Sequence, residues 1–381
     1  MSITTMPDEQ VRAPWAALPF WISLTMVPMV WLGAVLGGWW VAAVPIYGWG
    51  LYSALDLLAG LEERNADPLM ERRGLGWYRA ITLIWAPVQF ATLFGLIWYV
   101  DHSTHLSTLE MWGLFFGMGV VTGTIGINYA HELVHQRPRL DRWLGDILLA
   151  MVLYSHFRSE HLLVHHRHVA TPRDPATARY NEGFHRFLPR VLRSSIVSAW
   201  QAEVAMLARK GVSAFHRSNP FWRYAALQVG MLLLAVALGG WTGLVLFAVQ
   251  AVTAIWQLEL VNYIEHYGLT RRHLGDGRYE PVRPHHSWNS AHKASNWLLI
   301  NLQRHSDHHF KPDRPFPLLQ TYDASEAPQL PAGYPVMTAA AMVPPIWRRV
   351  MNPRVRAWRR QHYPDIADWS AYKTASNPVA R

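Results

Sequence analysis

The sequence predicts an all-α integral membrane protein, six transmembrane helices with a histidine-rich cap on their cytoplasmic side. Three observations predict it: long runs without a charged residue, arginines confined to alternate connections between those runs, and histidines grouped at helical spacing. The 381 residues are 51% hydrophobic, too apolar for a disordered chain. No cysteine is present, which removes disulfides, thiolate nucleophiles, cysteine-type zinc sites, iron–sulfur clusters and any fused electron-transfer module built on thiolates. Mean hydropathy is near neutral, a value that conceals apolar blocks alternating with charged ones.

A spanning helix needs about 20 apolar residues. No Asp, Glu, Lys or Arg lies between Arg12 and Asp56, a run long enough for two spans, and Leu36-Gly37-Gly38 suits a hairpin tip between spans near 14–35 and 38–57. Ala80 to Val100 is a third span and Met111 to Ala130 a fourth. Tyr224 to Leu258 is again free of charge, and Gly239-Gly240-Trp241-Thr242-Gly243 divides it into spans near 224–239 and 241–258. Buried helices of a large soluble protein are also apolar all round, but they rarely run this long without a polar face.

Orientation follows from the arginines, because positively charged loops stay in the cytoplasm. Six spans starting inside make 101–110 (DHSTHLSTLE) an outer loop, and it holds neither Lys nor Arg. Arg64, Arg72, Arg73 and Arg79 fall in the first inner loop, and residues 131–223 and 259–381 form the inner catalytic segments. Both termini are therefore expected in the cytoplasm, in a single domain over 1–381 without a cleavable signal peptide. The formal charge of +9 then faces anionic lipid headgroups and any acidic soluble partner, whereas no binding module for nucleic acid accompanies it. From about Phe310 the chain is proline-rich and is expected to be irregular polypeptide lying against the catalytic segments, with a short helix over 346–361 interrupted at Pro353.

Nine of the 20 histidines fall into four compact groups on the inner side: His131 and His135 in HELVH, His161, His165 and His166 in EHLLVHH, His266 in NYIEHYG, and His305, His308 and His309 in RHSDHH. Residues at i and i+4 share a helix face, so such pairs chelate one ion or flank a metal pair. A lone histidine is usually a surface or hydrogen-bonded side chain, but this clustering points to metal ligands, since neutral imidazole is the commonest one. Nine exceed what one tetrahedral ion uses, which argues for two metals. An all-imidazole site without thiolate suits zinc, copper or iron. Glu132, Glu160, Glu265 and Asp307 adjoin these histidines, and Glu259 ends the last span nearby. Each fits as a ligand or, by default, as the acceptor that fixes a ligand's distal ring N–H. His102 and His105, on the outer loop, are expected to play no part.

HELVH alone fits the zinc metalloprotease pattern, with Glu132 as general base, but a single zinc leaves seven of the nine histidines without a role. HELVH, EHLLVHH and LQRHSDHH with NYIEHYGL together resemble the set of bacterial integral-membrane alkane 1-monooxygenases, within the three-histidine-box fatty acid desaturase and hydroxylase superfamily. ATPRDPATAR at 170–179 and RYEPVRPHHSWNS at 278–290 resemble that family's connecting segments, so the similarity covers at least residues 120–310. Val134 and Val164 stand where the family typically has Gly, Leu162-Leu163 where it has a polar pair, and His168 where it has Arg.

The resemblance implies a non-haem di-iron site, two iron ions held by His131, His135, His161, His165, His166, His266, His305, His308 and His309. It also implies O2 as co-substrate and hydroxylation of the terminal methyl of medium- or long-chain n-alkanes to 1-alkanols. Electrons would come from a separate rubredoxin and its reductase, docking on the arginine-rich face of the bacterial inner membrane. A membrane fatty-acyl desaturase or a xylene-type aromatic-methyl hydroxylase is the alternative, and an HExxH zinc intramembrane protease a remote one. An alkane channel is expected among aromatics of the early spans such as Trp39, Trp40 and Trp49, with Gly48 and Gly50 leaving room for the chain.

Overall fold

The computed structural model describes residues 4–369 and Tyr372, so the extreme ends of the expected cytoplasmic termini lie outside the described residues. Among them, five helices are long and apolar enough to cross a membrane: α1 (Pro14–Leu36), α2 (Gly38–Ala59), α3 (Gly76–His102), α4 (Thr108–His135) and α5 (Phe221–His266). The first four match the four expected runs, α1 and α2 within one or two residues and α3 and α4 extended at both ends.

The fifth helix contains both remaining runs, and its 46 residues would measure about 69 Å if straight, over twice the roughly 30 Å hydrocarbon thickness. It is not straight. Gly239 (φ −146°, ψ 20°) and Gly240 (φ +54°, ψ −146°) leave helical geometry, and a Cβ on Gly243 would stand 2.5 Å from the Ala235 carbonyl oxygen. Eight residues along an α-helix are separated by about 12 Å, so the chain reverses at this glycine pair. The left-handed φ of Gly240 is one that L side chains rarely adopt.

Local chemistry fixes the other turns. Ser107 caps α4 in a capping box, its backbone N–H donating to Glu110 Oε2 at 2.7 Å. The other Glu110 oxygen accepts from the Gly38 N–H, tying the α1–α2 tip, where Gly37 has φ +61°, to the start of α4. Without a hydrophobic driving force between helices in lipid, small residues decide how closely they pack. Gly119 and Gly123 of α4 lie so near Thr253, Ala254 and Gln257 of α5 that a Cβ on either would clash at 2.4–2.9 Å.

The segments that follow α4 and α5 gather at the end of the bundle where these two helices stop. Arg79 at the base of α3 forms a bidentate pair with the buried Asp141 of helix Arg139–Met151, at 2.6 and 2.9 Å. The same helix carries buried Asp146, which accepts from Arg158 at 2.6 Å and pairs with Arg223 at 3.1 Å. This clamp anchors the run that holds the second histidine group to the start of α5.

Past Phe310 the chain is more regular than its prolines suggest, with helices Tyr334–Ala341 and Pro344–His362. The second runs through Pro353 rather than breaking there. Proline removes one helical hydrogen bond, but Pro353 and Arg349, whose carbonyl loses that bond, are both on the exposed face. Trp347, Met351, Val355 and Trp358 line the buried face and hold both halves against Tyr263 and Tyr267 of the α5 end.

Candidate metal centre

All nine histidines of the four groups meet at this end, and they divide into two sets. His131, His135, His161, His166 and His308 form one, with a ligand atom of each within 4.8 Å of the others, and His165, His266, His305 and His309 form the second by the same measure. The Nε2 atoms stand at 2.9 Å for His131–His308, 2.9 Å for His161–His135 and 3.1 Å for His308–His166. In the second set, His305 Nε2 is 3.0 Å from both His266 Nε2 and His309 Nε2. Nitrogens about 2.1 Å from a shared ion stand about 3 Å apart when at right angles, so the spacing in both sets fits a metal.

Electrostatics agrees. Burial, reinforced by the neighbouring imidazoles, holds His161, His166, His305, His308 and His309 well below the usual histidine range, so they are neutral with a lone pair available. His165 Nε2 is buried without a hydrogen-bond partner, the condition of a nitrogen reserved for an ion.

Sets and boxes do not coincide. The step from His161 to His165 predicts a shared face, yet these two belong to different sets while His161 and His166 share one. The cause is local: the His166 N–H bonds the His161 carbonyl five residues back, in a wider turn over His161–His165. That turn brings i and i+5 into line. In the last box His305 and His309 keep the four-residue step within one set, and His308 faces the other.

The carboxylates separate by role. Glu265 Oε2 is 3.3 Å from His305 Nε2, and Glu265 Oε1 accepts from the Tyr334 hydroxyl at 2.7 Å. Glu132 turns away from the imidazoles and accepts from Gln136 Nε2 at 2.9 Å and from the Phe316 N–H at 3.3 Å. Asp307 likewise faces elsewhere, taking Tyr322 at 2.6 Å, the Gln320 N–H at 3.0 Å and Arg314. Glu259 accepts from Tyr154 at 2.8 Å and Asn262 at 3.1 Å, and Glu160 is buried with its Oε1 free of any hydrogen-bond partner.

Besides Tyr334, a second residue escaped the sequence reading. Asp174, in the connecting segment ATPRDPATAR, places Oδ2 3.0 Å from His165 Nδ1 and is itself fixed by Thr177 (2.6 Å) and the Ala176 N–H (3.0 Å). Its only signal was an Asp-Pro turn nine residues after the ligand. A third grouping, Glu280 with His285 and His286, is closed on itself: His286 Nδ1 accepts the Arg283 N–H at 2.9 Å and Nε2 meets Tyr363 Oη at 2.8 Å. His105 bonds the Ala34 carbonyl at the far end of the molecule.

A cavity reaches the centre from between the helices. Gly48, Trp49, Val120 and Ile127 line its apolar part, and His131, His161, His305 and Glu265 line its end. Of the expected channel aromatics only Trp49 borders it. Trp39 and Trp40, at the hairpin tip, are 94% and 51% exposed, positions that suit interfacial anchors. Val134, a departure from the family pattern, is accommodated by Gly145, where a Cβ would meet Val134 Cγ1 at 2.8 Å.

The fatty acid desaturase family model matches residues 106–341, from just before α4 through every histidine group. The chain is 40% identical over 353 residues to alkane 1-monooxygenase 2 of Pseudomonas aeruginosa, covering 89% of this chain and 92% of the relative. It is 38% identical over 349 residues to alkane 1-monooxygenase of Ectopseudomonas oleovorans, covering 90% and 85%. The xylene/toluene monooxygenase hydroxylase component of Pseudomonas putida is more distant, 28% identical over 67% of each chain. A helical protein with apolar spans and two clustered imidazole sets thus belongs to the fatty acid desaturase family. Within it the chain stands among the alkane 1-monooxygenases and is an oxidoreductase.

Proposed function

We propose that this enzyme is a di-iron monooxygenase that hydroxylates the terminal methyl of medium- or long-chain n-alkanes to 1-alkanols, with O2 as co-substrate and electrons from rubredoxin. The observation that carries it is the apolar cavity, which is bordered by imidazoles of both sets, His131 and His161 of the first and His305 of the second. An alkane partitions into the bilayer, and a cavity between spanning helices receives it there. His131, His135, His161, His166 and His308 would hold one iron, and His165, His266, His305 and His309 the other, with Asp174 orienting His165. Iron bound there would supply O2 activation, inserting one oxygen into a C–H bond and releasing the other as water. The protein's part is to orient the chain and exclude water: Gly48, Val120 and Ile127 leave an apolar passage, and Asn128 is held aside by the Leu299 carbonyl at 2.6 Å.

On this reading the two halves of α5 each cross the bacterial inner membrane, giving six spans with both termini cytoplasmic. The arginine-rich inner segments then meet lipid headgroups and the acidic donor supplied through rubredoxin reductase. The relation to a xylene/toluene hydroxylase component supports an aromatic-methyl hydroxylase as a second reading. The deciding experiment supplies membranes with n-alkanes of graded length, rubredoxin and reductase. Formation of 1-alkanols supports the proposal, alkenoyl products favour a desaturase, and preference for a methylbenzene favours the second reading. Turnover indifferent to both added rubredoxin and ionic strength would count against the donor.

A further inference from the structure

We propose that Glu265, held by Tyr334, is the carboxylate partner of the metal in the four-imidazole set, in contact with it directly or through one water on the side facing the cavity. The inference rests on the two-metal reading above and extends it to a residue pair that the histidine pattern does not contain.

Three observations carry it. First, Glu265 Oε2 lies 3.3 Å from His305 Nε2, the nitrogen that also stands 3.0 Å from His266 Nε2 and from His309 Nε2. A nitrogen flanked by two others at ligand spacing is the one turned to the ion, so an oxygen beside it is within reach of that ion. Asp174, by contrast, meets the far nitrogen of His165 and orients that ring. Second, Glu265 is 1% exposed and forms no ion pair with Lys or Arg among the described residues. A carboxylate that is ionised at such depth is paired or coordinates a metal, and a divalent ion in the four-imidazole set would be the charge within its reach. Third, the sets are unequal, five imidazoles against four, and one carboxylate brings the smaller to five donors on the side lined by Glu265, His305 and Tyr334 at the cavity end.

Tyr334 is a positioning residue. Its hydroxyl donates to Glu265 Oε1 at 2.7 Å, which fixes the other oxygen toward His305. The ring is buried, and the Tyr334 N–H donates to Gln303 Oε1 at 3.3 Å, so its placement does not depend on the carboxylate alone.

The test compares the full-length protein in lipid nanodiscs with Glu265→Gln and Tyr334→Phe, each loaded with 57Fe(II). Metal retained per chain is followed through a chelator titration, and Mössbauer spectra are recorded at each stage. The wild type is expected to hold two irons with two distinct signals. Glu265→Gln should release one of them at about 10-fold or more lower chelator concentration, consistent with the 10–100-fold effects of supporting groups, and should shift one signal only. Tyr334→Phe, which removes only a hydroxyl, should keep both irons and move that same signal less. Glu265→Gln with wild-type retention and spectra overturns the proposal. If that variant loses both irons, unchanged spectra in Tyr334→Phe overturn it instead, and a shift of the one signal supports it. A wild type that retains a single metal, or a metal other than iron, defeats the di-iron reading, and its comparison with Glu265→Gln by retention still decides the carboxylate's role.

Discussion

The two imidazole sets share two sequence boxes, EHLLVHH and RHSDHH, and differ in their surroundings. The five-membered set takes both histidines of HELVH, two of EHLLVHH and one of RHSDHH, and it depends mainly on imidazoles crowded against one another. The four-membered set takes a single histidine from EHLLVHH, His266, and two from RHSDHH, and carboxylates stand beside it, Asp174 behind His165 and Glu265 near His305. A box in the sequence is therefore not a site. EHLLVHH and RHSDHH each serve both sets, because one turn of helix presents successive histidines to opposite sides of the centre.

The comparison breaks most readily at the ligands. His131→Ala or His308→Ala should abolish 1-alkanol formation and release metal first from the five-membered set, whereas His309→Ala should abolish it while releasing metal first from the four-membered set. Metal analysis of the purified variants, with spectra that separate the two sets, checks this. Loss of both metals in every variant would mean that the sets are one cooperative unit.

A smaller effect is expected behind the ligands. Asp174→Asn keeps the shape but exchanges the carboxylate that accepts from His165 Nδ1 for an amide, and such outer partners carry about 10–100-fold in metal affinity. The loss should fall on the four-membered set alone. Chelator titration reads it, and an equal weakening of both sets would remove the distinction drawn here.

How much of this was legible in the sequence differs between the two regions of the molecule. Charge-free runs located the spans because length and composition are what a bilayer selects, and the glycine pair at 239–240 was visible as a break for the same reason. Eight of the nine candidate ligands were legible from helical spacing, and His266 from the motif NYIEHYG that accompanies them. Their division was not, since it turns on the wider turn at His161–His165, and no residue type marks such a turn. Asp174 and Tyr334 were also hidden. Asp174 sits nine residues beyond its histidine in a loop, and Tyr334 arrives from 69 residues past Glu265, a separation that no local periodicity encodes. Trp39 and Trp40 erred the other way: a tryptophan in an apolar span reads alike whether it lines a channel or faces the interface.

Gly48 offers a milder test, on the substrate side of both sets. It borders the cavity with Val120 and Trp49, and a Cβ there would press only on the flexible end of Met26 at 3.2 Å, with Val120 Cγ1 at an ordinary 3.8 Å. Gly48→Leu should fold, since it also replaces a poor helix former, a change in propensity of about 0.5–1 kcal/mol. It should fill the passage without approaching the imidazoles. Metal content should stay at the wild-type value while the longest accepted alkane becomes shorter, its rate falling by about 10-fold or more, the effect of even one methylene in a hydrophobic pocket, and rates on shorter chains change less. An unaltered chain-length profile would place the alkane elsewhere.

The smallest effect is expected at the residue that the HExxH pattern singles out. Glu132 lies next to His131 in sequence, but the helix turns it to the opposite side, where Gln136 and the Phe316 N–H satisfy it. Glu132→Gln retains an acceptor for the Phe316 N–H and should leave the metal content of both sets unchanged. Hydroxylation should persist too, because the side chain lines neither the cavity nor the imidazole faces. A protease base behaves oppositely, since its loss stops the reaction outright. Activity abolished in Glu132→Gln with both metals still bound would therefore overturn the assignment of the chemistry to the imidazole faces. Retained activity would set the four-membered set, with carboxylates beside its imidazoles, apart from the five-membered set, whose adjoining Glu132 serves the fold.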